Sequence, residues 1–216
     1  RAQVNGVYLP AQVLPTRAGH VTQALVEKNQ MKTLSLDIFT YPEDSQISSA
    51  RVSLLGLEKE ESLSLGSHSV QYEEGRGVFL VEADTGELNP LVRLEIPHGT
   101  TSARIPLVPS SFIKDVAIKK RLNLSPGSGG AFGLAPREPY EVQIDGGKSK
   151  AQVVYLDLHE KPTYQSIGEA GGSFLVFNLE PGLRSITLTS KNGSKIFSRV
   201  IVSEMGVLNV LSPSFK

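Results

Sequence analysis

The 216-residue sequence has no cysteine and no tryptophan, and neither sign of charge prevails in it. Without cysteine the chain forms no disulfide, offers no thiolate to a metal and has no catalytic cysteine. Twenty-two Lys and Arg residues balance 22 Asp and Glu residues, so no overall field draws the chain to nucleic acid or to an anionic membrane. These absences exclude disulfide scaffolds and thiolate enzymes, and we expect no nucleic-acid partner.

Long apolar runs are missing as well. No stretch approaches the roughly 18 apolar residues that a membrane-spanning helix needs, so no transmembrane segment is expected in this chain. The sequence begins at Arg1 without the basic and apolar regions of a signal peptide, so we expect any secretion signal or lipid anchor to have preceded Arg1. The lack of cysteine suits a bacterial exported protein. An extracytoplasmic location (periplasmic, cell-surface or secreted) is therefore predicted.

The sequence does contain many short segments of alternating apolar and polar residues. Such segments, bounded by Gly, Pro, Asn, Asp or Ser, are typical of antiparallel strands. They cover residues 31–41, 49–57, 77–84, 91–97, 102–109, 140–145, 151–158, 172–179, 184–190, 195–202 and 207–212. Helical patterns are confined to 21–31 and 111–122, where β-branched residues weaken them. We predict an all-β protein of two small antiparallel β-sandwiches, immunoglobulin-like or transthyretin-like, with little helix.

A segment rich in Gly, Pro and Ser, LSPGSGGAFGLAPREP (124–139), separates the strands into two groups. This composition is typical of loops and linkers, so no regular element is expected within the segment. The prediction is an N-terminal sandwich domain over 1–110, a linker region over 111–138 and a C-terminal sandwich domain over 139–216. Residues 1–30 either belong to the first sandwich or form an independent arm.

The two halves also share short similarities. The tripeptide Phe-Leu-Val begins at Phe79 and again at Phe174, 95 positions later, and at the same offset Arg104 aligns with Arg199. Chance similarity between strand sequences is the alternative. The similarity predicts a tandem repeat of one β unit, in which Phe79 and Phe174 lie on equivalent strands.

The stretch GGSFLVFNLEPGLRSITL (171–188) joins an apolar strand to an alternating strand through a tight turn. Pro181 suits the first corner of a type II turn and Gly182 supplies positive φ at the second, so both are assigned a structural role in the turn. Apolar side chains on both faces favour a central strand. The alternation places Phe174, Val176 and Asn178 on one face and Leu175, Phe177 and Leu179 on the other.

This segment and the strands after it resemble carboxypeptidase regulatory-like domains, which are small transthyretin-like β-sandwiches of bacterial surface and periplasmic proteins. The matching residues are Gly172, Phe174, Val176, Asn178, Leu179, Pro181, Gly182, Ile186, Leu188, Val200, Val202, Gly206, Asn209 and Leu211. The resemblance covers about residues 140–212 and, more faintly, the first half. It implies a non-catalytic adhesion, scaffold or accessory module that recognises a protein or glycan partner through loops or a sheet edge.

Motifs for catalysis and for cofactors are incomplete. Ser128 in SPGSGGAF is placed like a serine-protease nucleophile, but Pro126 and Gly127 replace the usual Gly-Asp and no histidine has a matching context. In DGGKSK (145–150) a phosphate loop would need glycine at position 142, where Val142 stands. A serine hydrolase using Ser128 is the least favoured alternative, and no cofactor is expected. No metal site is expected either, because the spacing of His20, His68, His98 and His159 fits none.

Carbohydrate or peptidoglycan binding is a stronger alternative. Modules that hold sugars commonly stack them on exposed aromatic rings, and this chain offers six tyrosines but no tryptophan. Tyr41 and Tyr72 lie at predicted strand ends beside polar loops. They are the predicted ligand contacts of this alternative.

Overall fold

The computed structural model describes residues 3–4, 7–8, 31–43, 46–55, 59–73, 78–86, 89–97, 100–134 and 136–211. Strands dominate these residues, so the predicted all-β fold is confirmed. The strands are β1 (Gln3–Val4), β2 (Val7–Tyr8), β3 (Met31–Thr40), β4 (Ser49–Leu55), β5 (Lys59–Ser64), β6 (Gly66–Glu73), β7 (Val78–Asp84), β8 (Leu91–Pro97), β9 (Ser102–Leu107), β10 (Gly129–Leu134), β11 (Tyr140–Ile144), β12 (Gln152–Leu156), β13 (Ser173–Leu179), β14 (Gly182–Ser190), β15 (Lys195–Ser203) and β16 (Val207–Leu211).

Helical structure in the described residues is limited to α1 (Ser110–Lys119) and a 3₁₀ turn (Asp145–Gly147). Helix α1 falls within the segment 111–122 that was predicted to be helical. The other predicted helical pattern, 21–31, lies almost wholly outside the described residues. None of the helices that the structure describes has the length and apolar character needed to cross a membrane.

In the N-terminal half, a three-stranded sheet (order β6-β3-β9) packs on the strands β5-β4-β7-β8. The strand alternation explains this packing, because every second residue of β3 (Leu34, Leu36 and Ile38) points to the shared core. The other members of this cluster are Ala50, Val52, Val70, Val81, Ala83, Val92, Leu94, Ile96, Ala103, Ile105, Leu107 and Val210. Fifteen buried residues from two sheets thus form one core.

In the C-terminal half, the sheet β11-β14-β15 packs on the strands β12-β13-β10-β16. Their common core consists of Ala131, Tyr140, Val142, Ile144, Tyr155, Phe174, Val176, Leu179, Ile186, Leu188, Ile201 and Leu211. A third cluster covers the opposite face of β10, β12, β13 and β16. It unites Tyr41, Val108, Val116, Ala117, Phe132, Val154, Leu156, Leu175, Phe177 and Leu208, so α1 packs on this face. Strand β13 is therefore central and buried on both faces, as its sequence predicts.

One continuous sheet of eight strands runs through both halves, in the order β12-β13-β10-β16-β8-β7-β4-β5. The junction is β16, which pairs in parallel with β10 on one side and with β8 on the other. Arg93 of β8 lies 2.7 Å from the carboxylate of Glu82 and forms two hydrogen bonds, of 3.0 and 3.2 Å, with Glu204 in the turn before β16. Backbone pairing and an ion-pair cluster thus join the halves, and the predicted domain boundaries stay a prediction.

The segment predicted to be an irregular linker contains a regular strand. The expectation of no regular element in 124–139 is wrong for β10, which lies between β13 and β16 in the middle of the sheet. Its glycines are required by close packing. A Cβ on Gly133 would lie 2.0 Å from the ring of Phe174, and one on Gly129 would lie 2.5 Å from Oγ of Ser203. Glycine marks tight strand contact here and not a chain break.

The predicted faces of β13 are wrong at the end of the strand. Asn178 has a positive φ of 58°, and the register with β10 shifts between Gly129 and Ala131. This bulge turns Leu179 to the same core as Phe174 and Val176. The sequence pattern had placed Leu179 with Leu175 and Phe177, because strict alternation allows for no extra residue.

The sheet pairing does not follow the predicted repeat. Phe79 and Phe174 do lie on interior strands, β7 and β13, which pair antiparallel with β4 and β12 respectively. However, β9 with Arg104 pairs in parallel with the first long strand, β3, whereas β15 with Arg199 pairs antiparallel with β14. In the C-terminal half the parallel pair is formed by β10 and β16 instead. At an offset of 95 residues β7 coincides with β13 and β9 falls within β15, but the pairing of β9 and β15 differs, and the tandem repeat stays a prediction.

Candidate functional site

An apolar surface lies on the outer face of the β11-β14-β15 sheet. Ile186 and Leu188 of β14 and Ile201 of β15 point inward to the core. The alternate residues point outward, and Leu183 is paired directly with Val202. We call the exposed apolar residues here the β14–β15 surface; they are Leu183 (73% exposed), Val200 (58%), Val202 (44%) and Met205 (72%), the last in the turn after β15.

Strand β15 also leaves a backbone edge open. In the described residues it pairs with no strand but β14, which leaves backbone groups on its other side for an incoming strand; the backbone oxygen of Val202 already accepts a hydrogen bond from the Asn209 side chain at 3.2 Å. The sequence contained a signal for this surface that our interpretation missed. In RVIVS (199–203), apolar residues occupy both faces of a strand that is covered on only one side, which predicts an exposed apolar patch.

The Pro181-Gly182 turn borders this surface. The predicted turn requires positive φ at Gly182, and φ is +108° with no atom within 4 Å of a Cβ built there. Arg184 fastens the turn, because its guanidinium donates to the backbone oxygens of Glu180 and Pro181 at 2.9 and 3.2 Å. The same guanidinium lies 3.1 Å from Asp145. The positive φ that the prediction requires at Gly182 is present, and the type II turn itself stays a prediction.

The carboxylate of Asp145 binds to the strand that follows the Pro181-Gly182 turn. The backbone N–H of Ser185 donates to its carboxylate at 2.9 Å, and this hydrogen bond and the neighbouring Arg184 lower the pKa of Asp145 below its ordinary value. The motif DGGKSK therefore does not cradle a phosphate. Its aspartate binds β14, and its glycines Gly146 and Gly147 have positive φ in the turn that crosses between the two sheets.

A concave feature, which we call the junction pocket, lies where α1 meets the ends of β10, β13 and β16. Its volume is about 370 Å³. Its lining residues are Asn89, Pro90, Ser110, Ile113, Lys114, Leu124, Ser125, Ser128, Gly129, Gly130, Leu175, Val176, Phe177, Asn178, Gly206, Val207 and Leu208. Lys114 is the one charged side chain among these described residues. The pocket thus combines an apolar floor with a polar, weakly cationic rim.

Asn178 organises one rim of the junction pocket. Its side-chain oxygen accepts a hydrogen bond from the backbone N–H of Ser125 at 2.8 Å. Its amide nitrogen donates to the backbone oxygen of Asn123 and to Gln152, both at 2.8 Å. The positive φ of Asn178 aims this side chain at the loop before β10, and Asn tolerates that conformation better than most residues do.

Ser128 lies in the same rim and is bonded as a structural residue. Its hydroxyl donates to the backbone oxygen of Ser125 at 2.7 Å and lies 3.5 Å from the amide oxygen of Asn178. Among the described lining residues, none is a histidine or carboxylate that could act as a general base for the hydroxyl of Ser128.

Tyr41 is not a surface ring. It is 8% exposed and packs between Phe112 of α1 and Phe132 of β10, with ring centroids 5.7 and 4.6 Å away. Its hydroxyl is hydrogen-bonded to Ser173, yet burial raises the pKa of Tyr41 to about 12. The predicted stacking of a sugar on Tyr41 is wrong, because α1 covers the ring. Tyr72 lies on β6 opposite Lys32, and its side chain falls outside the described residues.

Metal-binding groups are not gathered in the described residues. No cluster of three or more His, Asp or Glu side chains suits a metal ion there. His68 hydrogen-bonds to the backbone oxygen of Ser64 at 2.8 Å, and His159 is exposed in the loop after β12. His20 and His98 lie outside the described residues.

Comparisons with known proteins place the chain in no family. No family model matches the sequence, and no curated protein matches it. A solved structure of a mutant shaft pilin SpaA from Lactobacillus rhamnosus GG aligns with 86% of this chain and 98% of its own, at 7% identity and a TM-score of 0.25. A likeness at this level carries no argument about fold or function. The resemblance to carboxypeptidase regulatory-like domains stays a prediction.

Proposed function

We propose that the chain is a non-catalytic adhesion or scaffold module of an extracytoplasmic protein, and that it recognises a protein partner through the β14–β15 surface. The observation that carries this proposal is the exposure of Leu183, Val200 and Val202 on one sheet face beside an open strand edge, with Met205 exposed in the turn after β15. Contiguous exposed apolar residues on a folded domain commonly mark an interaction site. An open edge adds backbone hydrogen bonds to such an interface.

The continuous sheet that joins the two halves supports a scaffold role. Eight strands share one sheet, and Arg93 holds the turn at Glu204 against β8. A surface next to that turn keeps a fixed orientation relative to the N-terminal half. A partner bound at β14–β15 would therefore be held at a defined angle to the whole module, which is what a spacer or scaffold requires.

The test compares retention of purified protein on bacterial envelope preparations. The variant Leu183→Lys/Val202→Lys places two charges on the β14–β15 surface, and Leu158→Lys is the control, because Leu158 is 64% exposed but lies in the loop after β12, a strand of the other sheet. We expect at least a tenfold loss of retention for the double variant and none for the control. Protease treatment of the envelopes should abolish retention. Equal retention of all three proteins would contradict the proposal.

Catalysis is tested separately. We expect no turnover of generic ester and peptide substrates by the purified chain. Turnover that disappears in Ser128→Ala would overturn the non-catalytic assignment and would favour the serine-hydrolase alternative.

Glycan binding remains the second candidate, and one observation favours it. Tyr164 is 87% exposed, and the ammonium group of Lys120 lies 3.8 Å from its ring centroid. An exposed ring beside a cation suits a sugar ring with hydroxyl or carboxylate substituents. Retention that survives protease treatment and is lost in Tyr164→Ala would favour this candidate over a protein partner.

A further inference from the structure

The junction pocket has the dimensions and lining of a small-molecule site. At about 370 Å³ it lies at the lower end of the range typical for ligand pockets, roughly 300–1,000 Å³. Its floor is formed by buried side chains of the eight-stranded sheet, among them Leu175, Phe177 and Leu208, and Ile113 and Leu124 form apolar walls. A ligand in this pocket would bury an apolar body of modest size.

The rim nearest α1 presents hydrogen-bond donors. Ser110 and Lys114 stand four residues apart on α1, and therefore on one face of the helix. Lys114 is exposed and makes no ion pair with another described residue. The side-chain oxygen of Asn89 accepts a hydrogen bond from the backbone N–H of Ser110 at 3.0 Å, which leaves the amide N–H groups of Asn89 as donors.

The charged side chain in the lining of the pocket favours a ligand of negative charge. Lys114 is the one ionisable side chain in the described lining, and no Asp or Glu lines it, so a cation gains nothing there. A single ammonium group suits a monovalent anion better than a phosphate, whose two charges would need more than one cation. The apolar floor in turn disfavours a fully polar anion such as a sugar acid.

We propose that the junction pocket binds a small amphipathic carboxylate, with the carboxylate at Lys114 and its neighbouring donors Asn89 and Ser110. The apolar body of the ligand packs on Ile113, Phe177 and Leu208. This site shares no lining residue with the β14–β15 surface, although Gly206 directly follows Met205, and it does not depend on the proposed adhesion function. It uses residues from both halves, since Asn89 precedes β8 and Phe177 lies in β13.

Binding of octanoate and of its uncharged analogue octanamide tests the proposal, by NMR titration of the full chain. We expect octanoate to shift the signals of Ile113, Leu124 and Leu208 and to bind at least fivefold more tightly than octanamide. Lys114→Gln should weaken octanoate binding about fivefold, the effect of an ion pair near the surface. The control Lys150→Gln removes an exposed lysine outside the pocket and should leave the affinity unchanged.

A second variant tests the apolar wall without altering charge. Leu124→Ser should weaken octanoate and octanamide alike, whereas Leu158→Ser, a matched change of an exposed leucine elsewhere, should weaken neither. All four residues are exposed, so thermal unfolding should show intact folds. Equal affinity for octanoate and octanamide, equal effects of the two lysine variants, or no shift in the pocket signals at millimolar octanoate would overturn the proposal.

Discussion

Tyr140 and Tyr155 meet edge to face in the C-terminal core, with ring centroids 5.7 Å apart, but their hydroxyls differ in hydrogen bonding. The hydroxyl oxygen of Tyr155 accepts a hydrogen bond from the backbone N–H of Val142 at 2.9 Å. The hydroxyl of Tyr140 is fully buried and has no hydrogen-bond partner among the described residues. Burial raises the pKa of Tyr140 above its ordinary value.

The two tyrosines therefore predict opposite effects of one chemical change. Tyr140→Phe removes an unsatisfied polar group and should raise the free energy of unfolding by about 1 kcal/mol. Tyr155→Phe leaves the buried backbone N–H of Val142 without its hydrogen-bond acceptor and should lower the free energy of unfolding by about 1–2 kcal/mol. Urea unfolding of both variants and the parent measures the difference. A loss of stability in Tyr140→Phe as large as that in Tyr155→Phe would contradict the prediction.

The Gly182 turn predicts a purely conformational effect. Because no atom lies within 4 Å of a Cβ at Gly182, Gly182→Val introduces backbone strain at φ +108° without a clash. We expect a destabilisation of about 1–3 kcal/mol, measured by thermal unfolding. The adjacent Leu183→Val, at an exposed strand position, should change stability by less than about 0.5 kcal/mol. Equal stabilities of the two variants would refute the strain argument.

Gly133 predicts a steric effect that a second substitution relieves. A Cβ at Gly133 would overlap the Phe174 ring at 2.0 Å, so Gly133→Ala should destabilise the protein by about 3 kcal/mol through overpacking. In the background Phe174→Leu, where the ring is absent, the same change should have a much smaller effect. A double-mutant cycle measures this coupling. Additive effects of the two changes would show that the Phe174 ring is not the reason why position 133 requires glycine.

The Arg93–Glu204 pair predicts a pH dependence. Two hydrogen bonds from Arg93 lower the pKa of Glu204 below its ordinary value. The stabilisation is therefore present above the pKa of an unfolded glutamate, about 4.3, and is lost as the pH falls through the lower native value. In Arg93→Met, the pKa of Glu204 should return to the ordinary range in an NMR titration. An unchanged pKa would show that Arg93 does not bind Glu204 in solution.

Local patterns predicted most of the strands, but they failed where a distant part of the chain decides the conformation. Strand β10 was missed because glycines look like breaks in isolation, and the ring of Phe174 that requires Gly133 is 41 positions away. Strand β5, KEESLS, is absent from the predicted strands because its charged residues interrupt the apolar alternation; it lies at the edge of the sheet, where charged side chains are tolerated.

The candidate site was less predictable than the fold. Whether Tyr41 is exposed depends on α1 packing on the outer face of the sheet, which no alternation pattern shows. The junction pocket brings together Asn89, Lys114 and Phe177, which lie on three separate segments. The turn at Gly182, in contrast, was predictable because a positive φ and a preceding proline act within adjacent residues.

The position of β16 has a consequence for the order of folding. It is the last strand described in chain order, and it lies between β10 and β8, so the three strands β12-β13-β10 cannot be joined to the four strands β8-β7-β4-β5 before it is synthesised. Until then, β8 keeps one side of its backbone unpaired, and Val210 is missing from the N-terminal core. During synthesis on the ribosome, the N-terminal half therefore has an unpaired strand edge at β8 until β16 emerges. In that period it is most exposed to aggregation or to binding by a chaperone.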